Sequence, residues 1–534
     1  MSQNTDSTTG KNLSEVHVTP SGVASDQSSQ TDEGSSILDQ PIYHDIERNL
    51  DTLLDEFGRS PDVIIRRLDF CQAVSLRIAV IYIEGLTDQQ ALSENVLSQI
   101  TTASSSNQSV CQTEENGQPQ KEELLQAWST IKNKLTVGSV VQTGHLSSVA
   151  SALLAGSSVL FAEGVPSALI CSTKGGKSRE ISEASTQVVI RGPKDSFTES
   201  IETNFTLVRR RIRSKLLRLE TINIGSVSHT SVAIMYLQDT APVEIVERVR
   251  QTLSSINMEA VLESGYIEKV LQDSSFSPFP TVYNTERPDI VAGNLLDGRI
   301  TIFVDGTPFA LIVPTVFSQF FTSPEDYYQR YDIGLFIRFL RYISFIISMI
   351  APSFYVALIT YHQEMIPTPL LISLAGGRED VPFPAIVEAL LMEFSFEILR
   401  EAGIRLPRAV GQAVSIIGAI VIGEAAVQAG IVSQFMIIVV AITGIASFSA
   451  PFYNIAITAR LLKFSFLILA GIFGFFGIAL GMITLIGHMN SLRSVGTPFM
   501  APFSPFKLQA FRDTLLLPTN HQPSTTTDKS PSPD

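Results

Sequence analysis

Residues 464–492 read FSFLILAGIFGFFGIALGMITLIGHMNSL, a run without one Asp, Glu, Lys or Arg. Two further runs share that property, Tyr342–Gln363 and Ala425–Ala459. About 20 apolar residues cross a hydrocarbon core, so each run is long enough to span a membrane. Nothing comparable occurs in the first 330 residues. The chain therefore reads as a soluble N-terminal domain over 41–330 and a polytopic α-helical membrane domain of about four to five spans over 331–490. Residues 1–40, rich in Ser, Thr and Gln, read as a disordered tail. Residues 491–534 form a C-terminal segment that ends in another.

A formal net charge of −14 argues against nucleic acid, which needs basic stripes. Cys71, Cys111 and Cys171 lie far apart with no CxxC spacing, so neither a disulfide framework nor a zinc site is expected. The N-terminal residues carry no apolar signal-peptide core, which places the soluble domain in the cytoplasm. Gly176-Lys177-Ser178 resembles the end of a phosphate loop, but Cys171 stands where the leading glycine belongs. No HExxH or GxSxG pattern occurs. The sequence thus points to no enzyme, no catalytic residue, no metal and no cofactor.

The soluble domain reads as α/β or α+β. Ile46–Phe57 has helical apolar spacing, Leu76–Ile83 reads as a buried strand, and Gly156–Ile170 as a hairpin around Glu163-Gly164. Val188–Ile190 reads as a short strand and Phe205–Leu219 as a basic helix. Val232–Leu237 reads as a strand, Val243–Ile256 as a helix, Ser104–Gln120 as a polar loop and Trp128 as a packing residue. One repeat stands out: Phe161–Ile170 matches Phe303–Ile312 without a gap, strand, acidic-Gly turn, Pro, strand. Hairpin chemistry alone can produce this pattern. The alternatives are two related subdomains, or one sheet built from equivalent hairpins.

In the membrane domain, spans are expected near Tyr342–Gln363, Pro382–Ala402, Ala409–Gln428, Ile431–Phe452 and Phe464–Gly487. Cytoplasmic Arg338/Arg341, Arg400/Arg405/Arg408 and Arg460/Lys463 fit an N-in chain with five spans. That count would put Arg493, Lys507 and Arg512 outside, a conflict that a re-entrant segment would remove. Span five steps Gly471, Gly474, Gly477 and Gly481 along one face, which suits close helix packing.

Glu393, Glu397 and Glu401 recur at i+4 and so share a helix face at membrane depth. Several copies around an axis would turn that stripe into negatively charged rings, as in cation pores. Val387, on the same segment, joins them as a candidate pore-lining position. The alternative is local pairing, Glu397 with Arg400 and Glu401 with Arg405. Glu424 is a second intramembrane carboxylate. Arg209, Arg210 and Arg211 on the basic helix are candidates for contact with membrane lipids or another subunit.

Several stretches together resemble the A subunit of bacterial spore-germination nutrient receptors, the GerA type. They are Arg191–Glu199, Asn204–Ile212, Glu286-Arg-Pro-Asp289, Val304-Asp-Gly-Thr-Pro308, Ser323–Tyr328, Pro382-Phe-Pro384, Glu397–Pro407, Gly418–Gly423 and Pro498–Pro502. The resemblance runs from Pro41 to Arg512. It implies a multi-pass protein of the spore inner membrane that works beside a transporter-like, nutrient-binding B subunit and a lipoprotein C subunit. It also implies a homo-oligomeric, ion-conducting role in which nutrient sensing leads to release of monovalent cations and then of dipicolinic acid. The alternative is a solute transporter with its own midplane site, which predicts broken helices in two matching halves. A membrane-tethered scaffold is a third reading.

Overall fold

The computed structural model describes residues 40–506 except 72–74, 106–120, 176–183, 185, 188, 275, 407–417, 419–420 and 450. The expected tails, most of the expected polar loop, the Gly176-Lys177-Ser178 stretch and most of the expected third span lie outside the described residues.

The soluble part is two copies of one plan. The first unit runs α1 (Ile46–Glu56), β1 (Val63–Cys71), β2 (Ser75–Ile83), a helical stretch over 89–105, α2 (Lys121–Lys134), β3 (Val140–Thr143), α3 (Leu146–Leu154), β4 (Ser158–Ala162) and β5 (Ala168–Cys171). The second runs α4 (Ile201–Arg211), β6 (Leu217–Ile224), β7 (Thr230–Leu237), α5 (Val243–Ser254), α6 (Ser264–Leu271), β8 (Tyr283–Thr285), α7 (Pro288–Leu296), β9 (Ile300–Val304) and β10 (Ala310–Val313). Their sheets are ordered β1-β2-β4-β5-β3 and β6-β7-β9-β10-β8, the same path twice. All pairings are antiparallel.

Register extends the match. Ala79 faces Phe161 in the first sheet and Ala233 faces Phe303 in the second, a small residue opposite a ring each time. Residues 140–171 align with 282–313 at a constant offset (282 − 140 = 142), with identities that include Val149/Val291, Leu153/Leu295, Gly156/Gly298 and Pro166/Pro308. The structure therefore favours two related subdomains over chance hairpin chemistry.

It also gives the repeated acidic-Gly turn a purpose. Gly164 N donates to His44 O at 2.8 Å and Gly306 N donates to Glu199 O at 2.9 Å. Each acceptor lies two residues before its unit's first helix. Both glycines hold positive φ, 78° and 85°, where a side chain would be strained. The turn thus fixes where α1 and α4 enter.

Two local expectations are corrected. The basic helix ends at Arg211, not Leu219, because Leu217 and Leu219 switch to the inward alternation of a strand and carry Arg218 into β6. Val189 and Ile190 form no strand, and Ile190 is 93% exposed. Their segment crosses the second unit as a strap, held by its neighbours' side chains. Trp128 is buried, as expected of a packing residue.

The helical domain holds α8 (Tyr331–Tyr361), α9 (Thr368–Gly376), α10 (Ala385–Arg405), α11 (Gln434–Ser447) and α12 (Tyr453–Ser491). Two of these, α8 and α12, are long and apolar enough to cross a membrane, while α11 is apolar but shorter.

The fifth expected span is not one straight segment. Gly474 breaks α12 with φ 61° and ψ −140°. An added Cβ at Gly481 would lie 2.7 Å from the Phe466 ring, and one at Gly477 would lie 2.2 Å from Leu469 O. Residues 466 and 481 would stand about 22 Å apart along a straight helix, so α12 folds back on itself. The glycine ladder serves this hairpin: Gly474 makes the turn, and Gly477 and Gly481 admit the first arm.

The hairpin tip meets the end of α8. Tyr361 Oη donates to Gly471 O at 2.8 Å and to Ile472 O at 3.0 Å. Both hairpin ends meet the second soluble unit. Thr458 Oγ1 donates to Pro278 O at 2.6 Å. Ser494, just past α12, donates to Thr281 O and accepts from Thr315 N at 2.9 Å. Phe303 of β9, Phe345 of α8, Met489 of α12 and Phe499 belong to one hydrophobic core. The chain thus leaves the second unit at Tyr331, touches it again at Thr458 and returns to it at Leu492.

Candidate functional site

Helix α10 carries the acidic stripe. Its start follows Pro382-Phe-Pro384, whose prolines favour extended backbone before a helix. At 100° per residue, Val387, Leu391, Phe394 and Ile398 fall on one face. That face is exposed, 41%, 40%, 64% and 62%. Glu401 continues it and is exposed, held to Arg405 at 2.6 Å. Glu393 and Glu397 lie about a quarter-turn round from Val387, so the candidate positions divide between two faces.

The inner face combines apolar residues, among them the partly buried Ile386, Leu390 and Phe396, with carboxylates. Ala385, Ala389 and Met392 are buried, and Glu388 and Glu393 are fully so. Glu393 pairs with Lys463 of α12. Glu397 accepts from Arg460 Nε at 3.0 Å and lies 3.5 Å from Lys463 Nζ and 3.7 Å from Arg400 Nη1. Glu388 accepts from Ser433 N at the mouth of α11 and faces Arg378 at 3.4 Å. Arg400 donates to Ser447 Oγ at 2.7 Å, and its guanidinium covers the Phe396 and Phe448 rings at 4.8 and 4.9 Å. Both local pairs weighed from the sequence are present. The stronger partners, Lys463 and Arg460, are more than sixty residues away, and nothing in the sequence pattern singled them out. Glu424 is exposed and accepts from Gln428 at 3.2 Å.

The three consecutive arginines part company. Arg209 is buried, pairing with Asp62 of the first unit and donating to Ser60 Oγ at 3.0 Å. Arg210 donates to Gly175 O at 3.1 Å, again in the first unit, and Arg211 forks onto Asp195 at 2.7 Å. Arg209 and Arg210 thus tie α4 to the first unit, and Arg211 ties it to the strap.

A second polar cluster joins the soluble units to α8. Arg287 is buried and bidentate to Asp289, Nε–Oδ1 3.0 Å and Nη2–Oδ2 2.6 Å, and donates to Gln187 O and Pro193 O at 3.2 Å. Glu286 accepts from Thr186 Oγ1 at 2.7 Å and Gln187 N at 3.1 Å. Tyr328 Oη donates to Asp289 at 3.1 Å. Two residues earlier, buried Asp326 meets Arg341 at 2.8 Å and Arg338 at 3.5 Å, both on the first turns of α8. The strap, α7 and the root of α8 are therefore one polar unit. The sequence marked Glu286–Asp289 and Ser323–Tyr328 only through resemblance.

A profile described as the Bacillus/Clostridium GerA spore germination protein matches residues 51–528. Spore germination protein KA of Bacillus subtilis (strain 168) is 48% identical over 474 residues, covering 89% of this chain and 84% of that one. Spore germination protein GerLA of Bacillus cereus is 40% identical, covering 84% and 88%. A crystal structure of the N-terminal domain of the A subunit of the Bacillus megaterium spore germinant receptor GerK3 is 35% identical. It overlaps 52% of this chain and 98% of its own at a TM-score of 0.39, so the fold described above rests on this chain's own strands and helices.

Proposed function

The chain belongs to the GerA family of spore germination proteins, and from that premise we propose that it is the A-type subunit of a nutrient receptor in the spore inner membrane. Its part is to turn a nutrient signal into release of monovalent cations. Nutrient binding falls to a transporter-like B subunit, and a lipoprotein C subunit completes the receptor. The soluble units face the cytoplasm, and several copies of the chain surround an axis.

The observation that carries the conduction reading is the exposed face of α10. A helix that turns Val387, Leu391, Phe394 and Ile398 outward while burying Glu388 and Glu393 is placed for neighbours other than its own chain. Around an axis, Val387 gives an apolar constriction and Glu401 a ring of carboxylates, the two devices by which pores gate and select. Glu393 and Glu397 set the charge of the wall behind them. The doubled-back α12 supports an even number of crossings. Arg493 then lies on the cytoplasmic face with Arg338 and Arg341.

The test compares spores carrying Glu401→Gln with unmodified spores, the chain at equal abundance in the inner membrane. Slower or less selective cation release on nutrient addition is expected. Release with unchanged rate and selectivity removes Glu401 from the path.

A further inference from the structure

On the reading that α10 lines the path, we propose that the Glu393–Lys463 and Glu397–Arg460 ion pairs are the latch that holds the path closed, and that opening separates α10 from the first arm of α12. This names the regulation of the proposed site.

Charge does much of the work of attaching α10 to its own bundle. The large apolar side chains of its middle turns, Leu391, Phe394 and Ile398, point away from the chain. Toward the chain it offers Ala385, Ala389 and Met392, the partly buried Ile386, Leu390 and Phe396, and carboxylates. Apolar burial scales with area, so this helix gains less from its own bundle than its composition would allow. Charge supplies the rest: Glu388 and Arg400 reach Ser433 and Ser447 around α11, and the ion pairs of the middle turns gather on one neighbour. Glu393 faces Lys463, and Glu397 faces Arg460 and Lys463, all on residues 453–473 of α12. Arg400, on α10 itself, is a further charge beside them.

The attachment is also incomplete. Glu393 Oε1 is buried and accepts no hydrogen bond among the described residues. A half-satisfied buried pair holds two elements in register without the energy of a fully bonded network. The hydrogen-bonded geometry of these pairs is lost within about 1 Å of separation, so the contact is either made or broken. The helix across the pairs is well anchored. Thr458 bonds the second soluble unit at one end of that arm, and at the other Gly471 O accepts from Tyr361 of α8 at 2.8 Å. A pull from the soluble units therefore reaches α12 directly, and the pairs are the charged part of what passes it on to α10.

Removing one partner leaves the other charge buried and alone, which disfavours the latched state. Lys463→Gln and Glu393→Gln chains are expected to release cations without nutrient, at a rate about tenfold or more above unmodified spores. The swap Glu393→Lys with Lys463→Glu is expected to restore nutrient dependence. A second readout, independent of conduction, follows Ala389→Cys in the assembled receptor by peptide-level mass spectrometry. This buried position on the inner face should react faster with a membrane-permeant thiol reagent in the single variants and return to the slow rate in the swap. Faster reaction of the introduced thiol without cation release keeps the latch and sinks the conduction reading. Single variants in which that thiol still reacts slowly, or a swap as reactive and as leaky as the single variants, would overturn the latch.

Discussion

The two soluble units share a strand path, a register and a turn chemistry, yet differ at one connection. Between strand and helix the first unit has Gly144-His145-Leu146-Ser147, and the second has Glu286-Arg287-Pro288-Asp289 at the matching positions. His145 is exposed, while Arg287 is buried in a lattice of the strap, Asp289 and, through Asp289, Tyr328. The cores differ as well. Those of the first unit close on themselves, whereas Phe279, Tyr283 and Phe303 of the second unit merge with Phe345 and Met489 of the membrane helices. One plan serves both units, and the second unit also carries the joint with the long apolar helices. The difference lies in a single turn and the surface it faces.

The sharpest way to break this comparison is to remove the arginine that one unit has and the other lacks. Arg287→Ala strands Asp289 in a buried site and is expected to cost about 3–5 kcal/mol, as loss of one partner of a buried pair does. His145→Ala at the matching exposed place should change stability by less than about 0.5 kcal/mol. Denaturation of the detergent-solubilised chain measures both. Equal effects would mean the two turns are equivalent after all.

Gly474→Ala comes next. The turn needs a backbone that only glycine adopts, and a Cβ there would lie 2.9 Å from the His362 ring. About 2–3 kcal/mol is expected from strain alone, read by the same denaturation. A neutral substitution would mean that α12 runs straight. The joint between units is smaller. In a double-mutant cycle, Arg209→Ala and Asp62→Ala should couple by about 1–3 kcal/mol, and additive effects would show that the units are not tied there.

The smallest effect is a pH dependence placed in the second unit. Burial, then the neighbouring Glu263 carboxylate, raises Glu268 from 4.5 to about 6. The folded chain keeps a proton that the unfolded chain releases, so this group's contribution falls as pH rises from 4.5 to 6 and stays lost above. Glu268→Gln should therefore add about 1 kcal/mol at pH 7, after discounting for solvent screening, and flatten that window. A variant with an unchanged pH profile would place the titration elsewhere.

Much of this was legible in the chain itself. Short apolar runs mark β2 and β7, and the acidic-Gly repeat admits duplication, because turn residues and apolar runs are local properties. The reversal at Gly474 was not legible. Apolar residues continue on both sides of it, and a lone glycine inside a membrane helix is ordinary. The basic helix ran too far because arginines fit any surface, and only Leu217 and Leu219 marked the change of period. At the site, i+4 spacing found the carboxylates and their local arginines. Lys463 and Arg460 became partners only through the packing of α10 on α12, a tertiary fact that spacing along one helix does not contain.

The central claim is that the outward face of α10 lines the cation path, and Val387 tests it most directly. Nutrient-triggered cation release should be measured in spores carrying Val387→Trp, with the receptor assembled at normal abundance. Release is expected to be lost or slowed at least about tenfold, because the larger ring closes an apolar constriction where water must pass. Release with unmodified kinetics from an intact assembly would contradict the claim.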